Sequence, residues 1–244
     1  MINVAPAGDK DATEMRKIYA GFVAQQIEAG SDIIALEADL MSSMAMDGVQ
    51  RKYPESVINC GIMEANVIGT AAGLSLTGRK PFVHTFTAFA SRRCFDQLFM
   101  SLDYQRNNVK IIASDAGVTA CHNGGTHMSF EVMGIVRGLA NSVVLEVTDA
   151  VMFEDILRQM MTLDGFYWIR TIRKQAATVY QPGSTFTIGK GNVLREGEDI
   201  TLIANGIMVA EALEAARRLA RDGVSAAVID MFTLKPIDRM LVKN

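Results

Sequence analysis

Residues 57–86 run VINCGIMEANVIGTAAGLSLTGRKPFVHTF. A short apolar stretch, Val57–Asn59, breaks at Gly61 and gives way to a helix of small residues expected over 64–77. Gly78 then releases the chain into a second apolar run, Pro81–Phe86. The same alternation extends in both directions. Upstream, Met15, Ile18, Tyr19, Phe22, Val23 and Ile27 fall at helical spacing within 11–29, with Gly30 as a C-terminal stop. Ile33–Leu36 follows as a strand ending near Asp39. Downstream, strand-like runs recur at Val109–Ala113, Val143–Val147 and Phe166–Ile172, separated by expected helices at about 89–104, 129–140 and 150–163. Continuous apolar runs alternating with helices predict an α/β fold, a parallel sheet covered by helices on both faces.

Residues 173–186 lose this periodicity and read as a linker. Beyond it, Ile200–Ala204, a helix over 207–221 and Val224–Met231 begin a second α/β unit, which predicts domains at 1–175 and 176–244. Two full strands and one helix make a poor independent core, so this partial second domain is expected either to be truncated or to lean on something else.

The chain has 244 residues, 49% of them hydrophobic and 21% charged, which excludes a disordered chain. Lys plus Arg is 24 against 27 for Asp plus Glu, so there is neither a basic footprint for nucleic acid nor a polybasic membrane anchor. The apolar stretches are too short to span a bilayer. Cys60, Cys94 and Cys121 form neither a zinc motif nor a disulfide framework, which suggests a reducing, cytoplasmic setting and no metal held by this chain.

Alternating βα units bind ligands in the loops at the carboxyl ends of their strands. Four such loops carry unusual residues: Asp39-Leu40 through Ser43, Asn59 through Glu64, His84 through Phe89, and Cys121 through His127. Each has a plain structural explanation. Glu64 could complement a helix macrodipole, and Gly69 and Gly73 could serve close helix packing. Phe86 and Phe89 could be core, and Thr126 could cap a helix, with His127 filling its first turn. A dinucleotide fingerprint after the first strand is absent, which argues against a dehydrogenase.

Taken in order, Asp39-Leu40, Gly61-Ile-Met-Glu64-Ala-Asn, Thr85-Phe86-Thr-Ala-Phe89 and Gly124-Gly-Thr126-His127 resemble the pyrimidine-binding domain in the C-terminal half of transketolase, a thiamine-diphosphate enzyme. The resemblance spans about residues 10–240. It implies that Glu64 hydrogen-bonds the pyrimidine N1′ and drives acid–base chemistry through the coenzyme. It further implies that Phe86 and Phe89 pack that ring, that Asp39 and Leu40 lie beside it, and that His127 faces the substrate. Arg16, Ser43 and Asn123 fall where the family binds substrate. No Gly-Asp-Gly segment occurs, so the resemblance implies a split enzyme. A separate N-terminal subunit would hold the diphosphate and Mg²⁺, the chain would self-associate into a dimer, and a heterotetramer would act on a sugar or sugar phosphate.

Several positions depart from the family pattern. Asn123 replaces an Asp, Gly125 replaces a Pro, and Asp115 lies near the place of a missing histidine. A later arginine is expected to be replaced around Glu146-Val147, so phosphate recognition by this chain should be weak. The expected activity is transfer of a two-carbon ketol unit from a ketose to an aldose. A deoxyxylulose-phosphate synthase, a 2-oxo-acid decarboxylase β subunit and a non-catalytic interaction module are the alternatives.

Overall fold

The computed structural model describes residues 2–5 and 8–243. In chain order the elements are α1 (Met15–Glu28), β1 (Ile33–Glu37), α2 (Asp47–Lys52), β2 (Val57–Asn59), α3 (Glu64–Leu76) and β3 (Lys80–Phe86). A single turn, α4 (Phe95–Gln97), leads into a π-helical stretch over Leu98–Asp103, then β4 (Lys110–Ser114) and a 3-10 segment over Gly117–Asn123. The first unit closes with α5 (Val132–Arg137), β5 (Val143–Glu146), α6 (Ala150–Met160) and β6 (Tyr167–Arg170). The remainder comprises β7 (Asn192–Arg195), β8 (Ile200–Ala204), α7 (Met208–Arg221), β9 (Ala226–Asp230), β10 (Thr233–Lys235) and α8 (Arg239–Lys243).

A seven-stranded sheet has the order β10-β5-β6-β4-β3-β1-β2, parallel except where β10 runs antiparallel to β5. Its central strands are buried throughout, as their unbroken apolar sequence requires. Successive side chains point to opposite faces. Ile33, Ala35, Phe82 and Ile112 pack with α1 and α6, while Ile34, Leu36, Val83 and Ile111 pack with α3, α5 and the π-helical stretch. The sheet is thus covered on both faces.

A smaller sheet, β7-β9-β8, carries α7. Its own fully buried cluster is only Ala216, Ala226 and Val228. It leans on the first unit, because the chain passes from β9 straight back into the large sheet as β10. Phe232 and Val209 thereby join the core formed by α1 and α6. At the far edge, β8 leaves Ile200 and Ile203 about half exposed.

Three expected elements differ. Residues 173–186 are irregular but pinned: Val4 bridges Tyr180, Lys10 bridges Ala177, and Tyr180 is fully buried. Asp149, which caps α6 by accepting from Met152 N, also accepts from Val179 N (2.9 Å) and Tyr180 N (2.7 Å). The helix expected over 89–104 starts only at Phe95. Before it, the chain is held in turns, as Thr87 Oγ1 donates to Ser114 O (2.6 Å) and Trp168 Nε1 donates to Ala90 O (3.0 Å). These tertiary bonds outweigh local helical preference. The helix expected over 129–140 shrinks to Val132–Arg137.

Candidate functional site

The parallel strands β6, β4, β3, β1 and β2 are neighbours, and the candidate residues follow their carboxyl ends. Asp39 and Leu40 lie just past β1. Asp39 has φ +61, a left-handed conformation that its short polar side chain tolerates. Asn59, ending β2, ties this turn to the next loop. Its Oδ1 accepts from Asp39 N (3.1 Å) and Gly61 N (3.0 Å), and its Nδ2 donates to Asp39 Oδ1 (3.0 Å). Gly61 has φ +77, so it can turn the chain there without strain.

Glu64 opens α3 and is 3% exposed. Its Oε1 accepts from Arg93 Nη1 (2.8 Å) and lies 3.5 Å from Thr85 Oγ1. Its Oε2 is buried and has no hydrogen-bond partner among the described residues. An unpartnered buried carboxylate oxygen is costly, so a helix-capping role alone does not account for this side chain.

Beside Glu64, Phe86 ends β3 and Phe89 follows it, their rings 6.1 Å apart and 27° from parallel. The His127 ring meets both edge-on, at 5.9 Å from Phe86 and 5.1 Å from Phe89. Thr126 Oγ1 engages His127 Nδ1 (2.9 Å), and Nε2 makes no hydrogen bond among the described residues. Arg93 lies over the Phe89 ring at 3.9 Å from its centroid. Arg92 secures the histidine turn by donating to Thr126 O (3.2 Å) and pairing with Glu131 (3.2 Å). Together Phe89, Arg92, Arg93, Thr126 and His127 line a cavity of about 480 Å³. A roomier groove of about 690 Å³, between the N-terminal segment and α6, brings no comparable set of groups together. Burial, then the Glu64 charge, pushes the nearby Cys94 thiol up to about 12, so it stays protonated and is no nucleophile at neutral pH.

Two arginines missed by the sequence reading stand in this site. Arg93 holds Glu64. Arg173, three residues past β6, lies 4.8 Å from the Phe86 ring centroid and pairs with Asp115 at 2.6 Å. At Glu146, where a family arginine is expected to be replaced, the side chain is buried against Arg170 (2.9 Å). The signal in the sequence is a charged residue shortly after a buried strand on the ligand-bearing edge.

Arg16, at the start of α1, is held by Glu14 (2.9 Å), and its backbone N donates to Arg173 O (3.1 Å), which places both arginines at one edge of the site. Ser43 is half-buried in the turn after β1, and Asn123 is exposed at the end of the 3-10 segment. Among the described residues, no hydrogen bond or ion pair joins either of these two to the cluster. No group of three or more His, Cys, Asp or Glu among the described residues converges as metal ligands would.

The family model for the transketolase pyrimidine-binding domain matches residues 11–177, and that for the transketolase C-terminal domain matches 189–244. A 6-deoxy-6-sulfo-D-fructose transketolase subunit from Clostridium sp. (strain MSTE9) is 42% identical, over 93% of this chain and 71% of its own length. A putative transketolase C-terminal section from Methanocaldococcus jannaschii is 36% identical, over 94% and 73%. Among solved structures, a split-gene transketolase described as an inactive β4 tetramer superposes with a TM-score of 0.86 and 37% identity, covering 96% of this chain and 76% of that one.

Proposed function

Because the chain belongs to the transketolase family, we propose that it is the pyrimidine-binding subunit of a two-component transketolase, a transferase that moves a two-carbon ketol unit from a ketose to an aldose. The observation that carries this reading is the buried Glu64 with one oxygen unpartnered, joined through Arg93 to the Phe89 ring that packs with Phe86 and His127. These groups fit thiamine diphosphate, the coenzyme of the family. A flat heteroaromatic ring suits the apolar rings, and a ring nitrogen suits the free Oε2.

Bound coenzyme supplies the carbon nucleophile that adds to the ketose carbonyl. In this reading Glu64 holds the pyrimidine nitrogen and exchanges a proton there through Oε2. Phe86 and Phe89 exclude water, which strengthens that contact. Asp39 and Leu40 border the coenzyme from the β1 turn. His127 reaches the substrate oxygen through Nε2 and stabilises charge developing on it. Arg16, Ser43 and Asn123 line the approach of the sugar.

The diphosphate and Mg²⁺ fall to an N-terminal partner subunit, the division that the similarity to split transketolase subunits supports. Its docking surface is the outer face of α3 and the adjoining π-helical stretch. Ile62, Met63, Leu76, Phe99, Met100 and Tyr104 are exposed there, and Gly69 and Gly73 have open space above them. We assign 1–175 to the pyrimidine-binding unit, 176–244 to part of the C-terminal unit, the active assembly to a heterotetramer and its location to the cytoplasm. Among the described residues no helix is long and apolar enough to cross a membrane. The β4 assembly of the similar split-gene protein is described as inactive. We accordingly expect the isolated chain to self-associate and to turn nothing over.

The test is reconstitution with a first-half transketolase polypeptide, followed by turnover assays and calorimetric titration of thiamine diphosphate. Glu64→Ala should cost roughly 10²–10⁴-fold in turnover, the range for a lost acid–base group, with the melting temperature retained. Wild-type turnover in that variant would overturn the assignment.

A further inference from the structure

The proposed chemistry needs a ligand to reach Glu64 Oε2, yet that oxygen is buried and the Glu64 side chain is only 2% exposed. The cavity beside it is lined by Ala88, Phe89, Arg92, Arg93, Thr126 and His127, and Glu64 is not among them. Arg93 belongs to both places. It lines the cavity, and its Nη1 donates to Glu64 Oε1 at 2.8 Å. The acid is therefore closed off behind a guanidinium.

Something must move before a ring nitrogen meets Oε2, and the neighbours differ in how readily they move. Thr85 and Phe86 belong to β3, an interior strand, and both are buried. Glu64 itself opens α3, whose Val67, Ile68 and Ala71 are packed in the core. His127 is tied to Thr126, and Arg92 in turn holds the Thr126 carbonyl. Arg93 is different. Its side chain is 45% exposed and hangs on a flexible stem in the turns before α4.

That side chain engages both groups assigned to the coenzyme, because its Cζ also lies 3.9 Å from the centroid of the Phe89 ring. A guanidinium can make the same pair of contacts as an aminopyrimidine: a flat face on an aromatic ring and an N–H toward a carboxylate. A buried carboxylate without a partner is costly, and Arg93 meets that need until another group takes its place.

Resting on the transketolase reading above, we propose that Arg93 is a latch on the coenzyme site. Its guanidinium holds Glu64 and covers Phe89, and it swings out toward solvent when the pyrimidine ring of thiamine diphosphate takes both. Contacts that stabilise only the closed form reduce the apparent affinity of a ligand that binds only the open one. By linkage, the stability that Arg93 adds to the closed form is subtracted from coenzyme binding.

The test uses the assembled two-subunit enzyme with thiamine diphosphate and Mg²⁺. It reads the dissociation constant by calorimetry and the melting temperature with and without coenzyme. Arg93→Met keeps an apolar stem and loses both charge and donors. It should bind the coenzyme about tenfold more tightly, the size of one charge-assisted contact that no longer has to be broken. Without coenzyme it should melt below wild type, and with saturating coenzyme at the wild-type temperature. Arg93→Lys keeps a charge toward Glu64 but lacks the planar fork that lies on Phe89, so it should fall between the two. Phe89 cannot serve for this test, because latch and coenzyme both use its ring. Unchanged or weaker coenzyme binding in folded Arg93→Met means that Arg93 stays on Glu64 in the loaded enzyme, and overturns the proposal. If Arg93→Met does not assemble, Arg93→Lys decides by the same sign. A wild-type enzyme that binds no thiamine diphosphate overturns the transketolase reading itself, and the latch with it.

Discussion

Glu64 and Asp230 are both buried carboxylates, and each has one oxygen without a hydrogen-bond partner among the described residues. Their surroundings set them apart. Asp230 ends β9 at the seam between the two sheets, where Thr148 and Tyr180 hydroxyls both donate to its Oδ2 at 2.6 Å. Burial pushes its carboxyl up to about 7. Glu64 instead pairs with a half-exposed arginine that lines a cavity together with Phe89 and His127. An unpartnered oxygen alone does not mark a ligand site. Asp230 is bonded into the seam of the fold, whereas Glu64 pairs with an arginine that lines a cavity, as the coenzyme-binding role proposed for it requires.

The seam can be broken most severely at Phe232. Its ring is fully buried and meets Phe186 edge-on at 6.0 Å. Phe232→Ala should cost about 3–5 kcal/mol. If the sheets share one core, denaturant unfolding of this variant should remain a single transition at a lower midpoint. Two separated transitions would mean that the smaller sheet folds by itself.

A milder change separates the two acids by pH. The folded chain holds a proton on Asp230 up to about pH 7, whereas the unfolded chain releases it near pH 4. In that window the native state binds more protons, so this group's contribution is complete below about pH 4 and is lost as pH rises through about 7. Asp230→Asn removes the titration and should flatten the fall in melting temperature between pH 5 and 8, a recovery of roughly 2 kcal/mol at the upper end. Some slope should persist, because burial also raises Glu146 and Asp149. If the slope is unchanged, Asp230 is not the titrating group at the seam.

How legible these regions were follows from their physics. The strands β1 and β3 to β6 are buried on both faces, and such strands leave continuous apolar runs that cannot be mistaken for loops. Glu64, Phe86, Phe89 and His127 fall in loops after such strands, but it is the resemblance to the transketolase motifs, not the apolar pattern, that singles them out. β10 was not legible, since Thr233-Leu-Lys235 is three residues long and pairs with a strand far away in sequence. The turns before Phe95 were hidden because side-chain bonds from Thr87 and Trp168 fix them. Arg173 and Arg93 escaped notice for a related reason. A lone arginine has no periodicity, and only the fold reveals that one lies on Phe86 and the other on Phe89.

The finest test of the contrast lies at Phe89, whose ring is shared by Arg93, His127 and Phe86. Leu occupies similar apolar volume but has no π face. Phe89→Leu should therefore leave the melting temperature nearly unchanged, because the ring is only partly buried. In the reconstituted enzyme the same change should weaken thiamine diphosphate binding about tenfold, the loss of an aromatic contact worth ~0.5–1.5 kcal/mol. It should also free Arg93 from its resting place over the ring, so that Glu64 keeps its partner less firmly. A loss of stability without a loss of coenzyme affinity would make Phe89 a core residue of the same kind as Phe232, and would erase the distinction between a region that holds the chain together and one that waits for a ligand.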